Sequence, residues 1–406
     1  MQTTRLFLGA GLVALLVAVY APVIGHFITM IGVFRHPRQT HANASQVVVI
    51  DDTVHCEDLH HHVASNTLFT ACEDSPDTRM SWFPGLAILD DPVKAMNSRG
   101  SIHTIDPKTF KSQRLKLENF DEPFITHGIE VISDNANSVY IYAVNHLPHP
   151  DYVAAYRFDR AMAKKMPTKA RSQIEVFHHV LGSSSAKHVR SIVHPLIQTP
   201  NDIFALSPHS IYVTNDHYHR EGLRRKVEDL YAGNKWSNTV HVHIDELSKV
   251  DPTLGLNASV AITGLHNNNG LGYSPVGMAI GCAASGQLHL ARTDGKVVES
   301  LTFDSTIDNP SFFQGRNISG YVLGGLSRAV DLENTIHDPQ GKEPVIVWFA
   351  HQTSNGWEKK VLFEDDGSRI RSSSAAVLVQ DGTSSLWLFV TGFLSNNMVA
   401  VQVDLE

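Results

Sequence analysis

GIEVISDNANSVYIYAVNH, residues 128–146, reads as an apolar strand, a polar turn and a second strand that ends in small and polar residues. β-branched and aromatic residues flank a turn rich in Asn, Asp and Ser, which is a hairpin signal. The same pattern returns as DLHHHVASNTLFTACED (58–74), DIFALSPHSIYVTNDHY (202–218), GMAIGCAASGQLHLART (277–293) and AAVLVQDGTSSLWLFVTG (375–392). A degenerate copy, SFFQGRNISGYVLGGLS (311–327), makes six. Further strand-like runs lie between copies: VAAYRFD (153–159), QIEVFHHV (173–180) and TVHVHID (239–245). Six units of ~60 residues, each with room for four strands, predict an all-β chain folded as a six-bladed β-propeller. Two stacked β-sandwiches are the alternative, but no Pro/Gly/Ser-rich linker divides the chain.

The rest of the 406 residues sorts around that body. Residues 1–34 read as a signal anchor or signal peptide, 35–45 as a linker and 46–406 as the propeller. The run Leu6 to Ile24 carries no charge and is long enough to span a bilayer, so an anchor helix and membrane contact through this segment are expected. Its orientation is ambiguous, because Arg5 precedes the run while Arg35 and Arg38 follow it. Sequons at Asn43, Asn257 and Asn317, in loop-like surroundings, suit a lumenal or extracellular glycoprotein. A net charge of −8 with no basic cluster argues against a nucleic-acid partner. Three cysteines exclude a four-cysteine zinc site. Cys56 and Cys72 flank one hairpin and are either a disulfide or two buried thiols; Cys282 is left free.

HCEDLHHH (55–62) raises a metal question, since four histidines and two acids fall within eight positions. Across the repeat, Asp, Glu and Asn gather where inner strands should meet the channel: Glu57 and Asp58, Asn201 and Asp202, Asn269, Asp308 and Asn309. Carboxylate and amide oxygens from several blades form the donor set of a hard cation such as Ca²⁺, whereas zinc prefers His and Cys. On that reading His60, His61 and His62 decorate the following strand. Taken singly, each Asp or Asn is as well explained as a turn residue.

The segments CEDL (56–59), HGI (127–129), VNH (144–146), PNDI (200–203), TNDHY (214–218), NNG (268–270) and TIDN (306–309) resemble the serum paraoxonase/arylesterase family, in order and at similar spacing. The resemblance covers most of residues 50–400. It implies a calcium-dependent arylesterase or lactonase with two Ca²⁺ ions in the propeller channel. The catalytic calcium would be held by Glu57, Asn201, Asn269, Asp308 and Asn309; the deeper, structural calcium by Asp58, Asp202 and the main-chain carbonyl of Ile129. Neighbouring residues of a strand point to opposite sides, so Glu57-Asp58 and Asn201-Asp202 can each serve both ions. His127 and His146 would activate the water that attacks a metal-polarised ester or lactone carbonyl. Asp216 and His217, read from the residues alone, are either a channel-wall pair or a structural hydrogen bond. The rival readings are a gluconolactonase-like propeller with one divalent ion and a non-catalytic propeller with structural calcium.

Two departures from the family pattern stand out. No cysteine lies in the closing segment NNMVAVQVDLE, so strand pairing must close the ring. The stretch between the fourth and fifth copies is short, so a trimmed blade is expected there.

Overall fold

The computed structural model describes residues 20–40, 47–231, 233–380 and 385–405. Six sheets, antiparallel except for the outermost strand Lys116–Glu118 of the second, are taken as blades one to six and have their inner strands at Cys56–His62, Thr126–Asn135, Pro200–Ser207, Leu271–Ser274, Pro310–Gln314 and Ala376–Gln380. Each inner strand packs against the next, and the sixth against the first, which closes a ring around an axis. The chain is a six-bladed β-propeller. Blade six is completed by Val47–Ile50, which pairs antiparallel with Met398–Val403. Strand pairing therefore closes the ring without a covalent link.

The hydrophobic core lies between blades rather than within one. Tyr142, Val144, Ile174 and Val176 of blade two meet Ile203, Ile211, Val213 and Val240 of blade three. Equivalent clusters join blades five and six, and six and one. Each buried aliphatic side chain contributes about 1.5–3 kcal/mol. A strand packed on both faces has no solvent side, and every residue of Ser138–Pro148 except Tyr140 is buried. This is why the inner hairpins read as nearly continuous apolar runs.

The structure corrects several sequence expectations. VAAYRFD is not a strand but most of the helix Pro150–Phe158. His149 caps it by accepting from the Asp151 N–H, Pro150 opens its first turn, and Tyr152, Val153 and Tyr156 share its buried face. The fourth copy is one strand out of phase, because GMAIGC is the second strand of its blade and Leu271–Ser274 the inner one. No blade is trimmed: each of the six blade sheets has at least four strands. Asn257 lies in the outer strand Leu256–Thr263 rather than a loop, and is exposed, as is Asn317. Asn43 lies outside the described residues, as does most of the run Leu6–Ile24.

Residues 20–30 are helical. Among the described residues no helix is long and apolar enough to cross a membrane. The helical segment and the turn after it dock on the propeller: His26 Nε2 is 2.9 Å from the Ser285 carbonyl, and the Arg328 guanidinium donates to the carbonyls of Gly32 and Arg35 at 3.1 and 2.7 Å. Cys56 and Cys72, partners across the first hairpin, form a disulfide, and Cys282 is free and buried.

Candidate metal centre

The sequence pairs Glu57-Asp58 and Asn201-Asp202 sit at the starts of inner strands, where the ladder register slips between Cys56 and Asp58 and between Pro200 and Ile203. A third slip, at Ala143/Asn145, lies opposite His127. Such bulges re-aim side chains and end pairing. Here they turn the leading residue of each segment toward one end of the channel.

That end forms a cage. Glu57 Oε2, Asn201 Oδ1, Asn269 Oδ1, Asp308 Oδ1 and Asn309 Oδ1 are all shielded from solvent, and none has a hydrogen-bond partner among the described residues. The amide nitrogens are all engaged: Asn201 Nδ2 donates to His127 Nε2 at 3.3 Å, Asn269 Nδ2 to Asn267 Oδ1 at 3.5 Å, and Asn309 Nδ2 to Glu57 Oε1 at 3.1 Å. Each amide is thus oriented with its oxygen free for a cation. A shielded acceptor without a donor costs about 1–3 kcal/mol, so five together fit a bound hard cation. Burial, then the neighbouring Asp308 and Asp58 charges, pushes the Glu57 carboxyl well above its ordinary range; burial, Asp58 and Asp216 do the same to Asp308. Glycines let the strands come this close. A Cβ on Gly270 would lie 2.3 Å from Asn309 Oδ1, and one on Gly128 2.5 Å from Asp202 Oδ1.

The second residue of each pair lies deeper. Asp58 accepts the N–H of Leu59 at 2.7 Å and of Ile129 at 3.0 Å. Asp202 accepts the N–H of Ile203 at 2.7 Å and of Leu271 at 2.6 Å. Asp58 thus ties blade one to two, and Asp202 ties three to four. The N–H of Ile129 thus serves Asp58, on the same residue whose carbonyl the resemblance assigns to the deeper ion. His60 was not expected here, yet it lies with its Nε2 3.2 Å from Asp58 and its Nδ1 3.3 Å from Glu130. The signal was present, since positions 58 and 60 share one face of a strand. His61 and His62 do decorate the hairpin, paired with Asn66 and Ser65.

The cage opens into a cavity of ≈ 850 Å³, with Glu57, His127, Asn201, Asn269 and Asp308 on its wall. Phe83 and Phe393 line it, as do Phe27, Met30 and Ile31 of the N-terminal segment. His127 Nδ1 is 2.9 Å from His146 Nε2, and His146 Nδ1 is 2.8 Å from Ser172 Oγ. With Asn201 donating to His127 Nε2, the protons run one way: His127 to His146 to Ser172. Burial, then the facing His146, holds His127 well below the ordinary histidine range; burial lowers His146 to about 3. Both rings are neutral at pH 7. Asp216 and His217, 3.1 Å apart, lie on the wall, with His217 Nε2 2.6 Å from Asp229.

Sequence reading missed Arg79, because only the loop fold brings it in. Buried, it donates to the carbonyls of His55 and Thr126, just before the Glu57 and His127 segments, and lies 4.0 Å over the Phe83 ring. Phe83 in turn packs edge-on against His127 at 4.8 Å.

Fold and site together define a class: six-bladed propellers with a cage of side-chain oxygens at the axis, opening into a cavity flanked by paired histidines. A family model described as Arylesterase matches residues 164–283, which carry Asn201, Asp202 and Asn269. Serum paraoxonase/arylesterase 1 of Mus musculus is 30% identical over 46% of this chain and 45% of its own length. Serum paraoxonase/arylesterase 2 of Gallus gallus is 29% identical over 47% and 48%. The chain spans about half the length of the curated relatives it matches. A Dyadobacter fermentans protein of unknown function shares the fold at a TM-score of 0.50 and 10% identity, over 92% of this chain and all of the other. Over about half of its length the chain is similar to the serum paraoxonase/arylesterases, the family its motifs resemble.

Proposed function

We propose that this propeller is a calcium-dependent hydrolase of aryl esters or lactones. The observation that carries the reading is the cage: five shielded oxygens without donors, two from carboxylates and three from amides, four of them on residues lining one cavity and the fifth on Asn309, which is hydrogen-bonded to Glu57. Glu57, Asn201, Asn269, Asp308 and Asn309 would hold the ion, leaving coordination positions for substrate and water. When bound, the calcium would polarise the substrate carbonyl and offset the buried carboxylate charge.

His127, on the cavity wall, takes the proton of the attacking water at Nε2, its one nitrogen with a lone pair, in exchange for the 3.3 Å hydrogen bond it accepts from Asn201 Nδ2. His146 receives the His127 Nδ1 proton in a hydrogen bond and passes the polarisation on to Ser172. Phe83 holds the His127 ring edge-on and, with Phe393, gives the cavity an apolar side suited to an aryl or alkyl group. A second divalent ion on Asp58 and Asp202 would tie the inner strands below the cage.

The membrane and secretory-pathway expectations continue as part of this proposal. Ile24, Phe34, Leu223 and Leu230 are exposed apolar residues of the N-terminal segment and of the helix Gly222–Leu230, both of which border the cavity. They support contact with a membrane surface. The disulfide supports an oxidising compartment.

The test is an aryl ester and lactone screen on purified protein before and after chelation, with metal content measured alongside. Hydrolysis is expected to vanish with the calcium and return when it is restored. Hydrolysis that persists in calcium-free protein overturns the mechanism; absence of hydrolysis in calcium-loaded protein overturns the enzyme.

A further inference from the structure

The two levels of the channel offer different chemistry. The upper cage presents only oxygen. The deeper level brings together one ligand atom each from Asp58, His60 and Asp202, all within 4.8 Å of one another. We propose that the deeper level binds an imidazole-accepting cation of the zinc class, with His60 as a ligand, while the upper cage takes calcium.

Four observations lead there. His60 faces the aspartates with Nε2, while Glu130 holds its other ring nitrogen at 3.3 Å. Glu130 is itself fixed by the N–H groups of Val131 at 2.7 Å and Ala205 at 3.1 Å. A carboxylate behind an imidazole is the usual support of a metal-bound histidine, because it sets which nitrogen is free to bind. Main-chain N–H groups orient each aspartate, and a carboxylate retains lone pairs for a metal after accepting such bonds. Finally, an imidazole and two carboxylates complete a four-coordinate N/O site with one water, a donor set that suits zinc rather than calcium, which takes oxygen ligands.

The upper half of this assignment rests on the calcium reading above; the lower half does not. The experiment uses the full chain, stripped of metal and dialysed against excess Ca²⁺ with one equivalent of Zn²⁺, or of Co²⁺ as a visible-absorbing substitute. Wild type is expected to retain one Zn²⁺ per chain in the presence of the calcium, and Co²⁺ to give the absorption of a nitrogen- and oxygen-ligated site. His60→Gln should weaken Zn²⁺ binding by more than about 10-fold and change the Co²⁺ spectrum, with bound Ca²⁺ unchanged. Glu130→Gln, which leaves the ligands in place, should weaken Zn²⁺ binding to a smaller degree. Thermal unfolding of both variants checks that they are folded.

Two bound calcium ions and no zinc would overturn the proposal. So would one calcium and nothing else, with His60 serving as a counter-charge to Asp58 and Glu130, or equal Zn²⁺ affinity in wild type and His60→Gln. Because the readout is metal content and spectrum, these results are independent of hydrolysis. A zinc-binding chain without esterase activity would overturn only the catalytic reading.

Discussion

Glu57 and Asp58 are adjacent in sequence, yet they belong to regions built on opposite principles. Around Glu57, five shielded oxygens lack donors, and burial with neighbouring carboxylates raises its carboxyl and that of Asp308. Around Asp58 and Asp202, burial and the Asp58 charge raise the Asp202 carboxyl too, but here the carboxylates accept main-chain N–H groups from the next blade. The upper region stores electrostatic tension that a cation would relieve, whereas the lower joins the ring by hydrogen bonds of its own. A strand that begins with a bulge and continues in register can present one residue to each.

Substitutions can break this contrast. The largest effect is expected from Glu57→Gln, which keeps the shape but removes a charge. Calcium affinity should fall by about 100-fold and hydrolysis with it, while metal-free stability rises because Glu57 no longer repels Asp308 and Asp58. Calorimetric titration and thermal unfolding read the two quantities; a metal-free protein made less stable by the change would refute the tension argument. Next, His127→Gln should lower kcat/KM by ~10²–10⁴ with calcium retained, and His146→Gln by less, since only His127 lines the cavity. Equal losses from the two variants would contradict that division of roles.

In the lower region, Asp202→Ala leaves the N–H groups of Ile203 and Leu271 unpaired and should cost about 2–5 kcal/mol in urea unfolding even without metal. A loss seen only with metal present would show the lower region to be held by the ion rather than by hydrogen bonds. The smallest effect sharpens the comparison from outside the channel. His289, hydrogen-bonded to Ser300 and lowered to about 4 mainly by burial, stays neutral when folded. Its contribution is complete above the unfolded value near 6.5 and declines as pH falls toward 4, because only the unfolded chain takes up the proton in that window. Acidification from pH 7 to 5 should cost wild type about 1–2 kcal/mol more than His289→Gln. Parallel pH–stability curves for the two proteins would disprove this.

How far these regions were legible from sequence depended on whether local patterning or long-range folding builds them. Inner hairpins such as 128–146 announced themselves because they are buried on both faces, and the pairs Glu57-Asp58 and Asn201-Asp202 stood at their entrances. Leu271–Ser274 was overlooked because four residues with one glycine carry almost no strand signal. VAAYRFD fits either period when read alone; the His149-Pro150 cap just before it settles the matter. His60 was set aside although its spacing from Asp58 placed both on one face. Arg79 and Phe83 end a short helix, Pro76–Arg79, and a two-residue strand, Trp82–Phe83, between blade strands, and only the closed ring brings them to the site.

That closed ring also imposes an order on biosynthesis. Glu57 accepts from Asn309 across 252 residues, and Val47–Ile50 finds its partner only in Met398–Val403. A ribosome releasing the chain from its N-terminus presents Glu57, Asn201 and Asn269 well before Asp308 and Asn309 exist. During most of translation the first blade carries an unpaired acidic entrance and a neighbouring disulfide, with no complete cage. Metal loading is therefore expected as a late event, after the fifth blade has emerged and the last strand has locked against the first. A nascent chain stalled before residue 308 should fail to take up calcium in the upper cage.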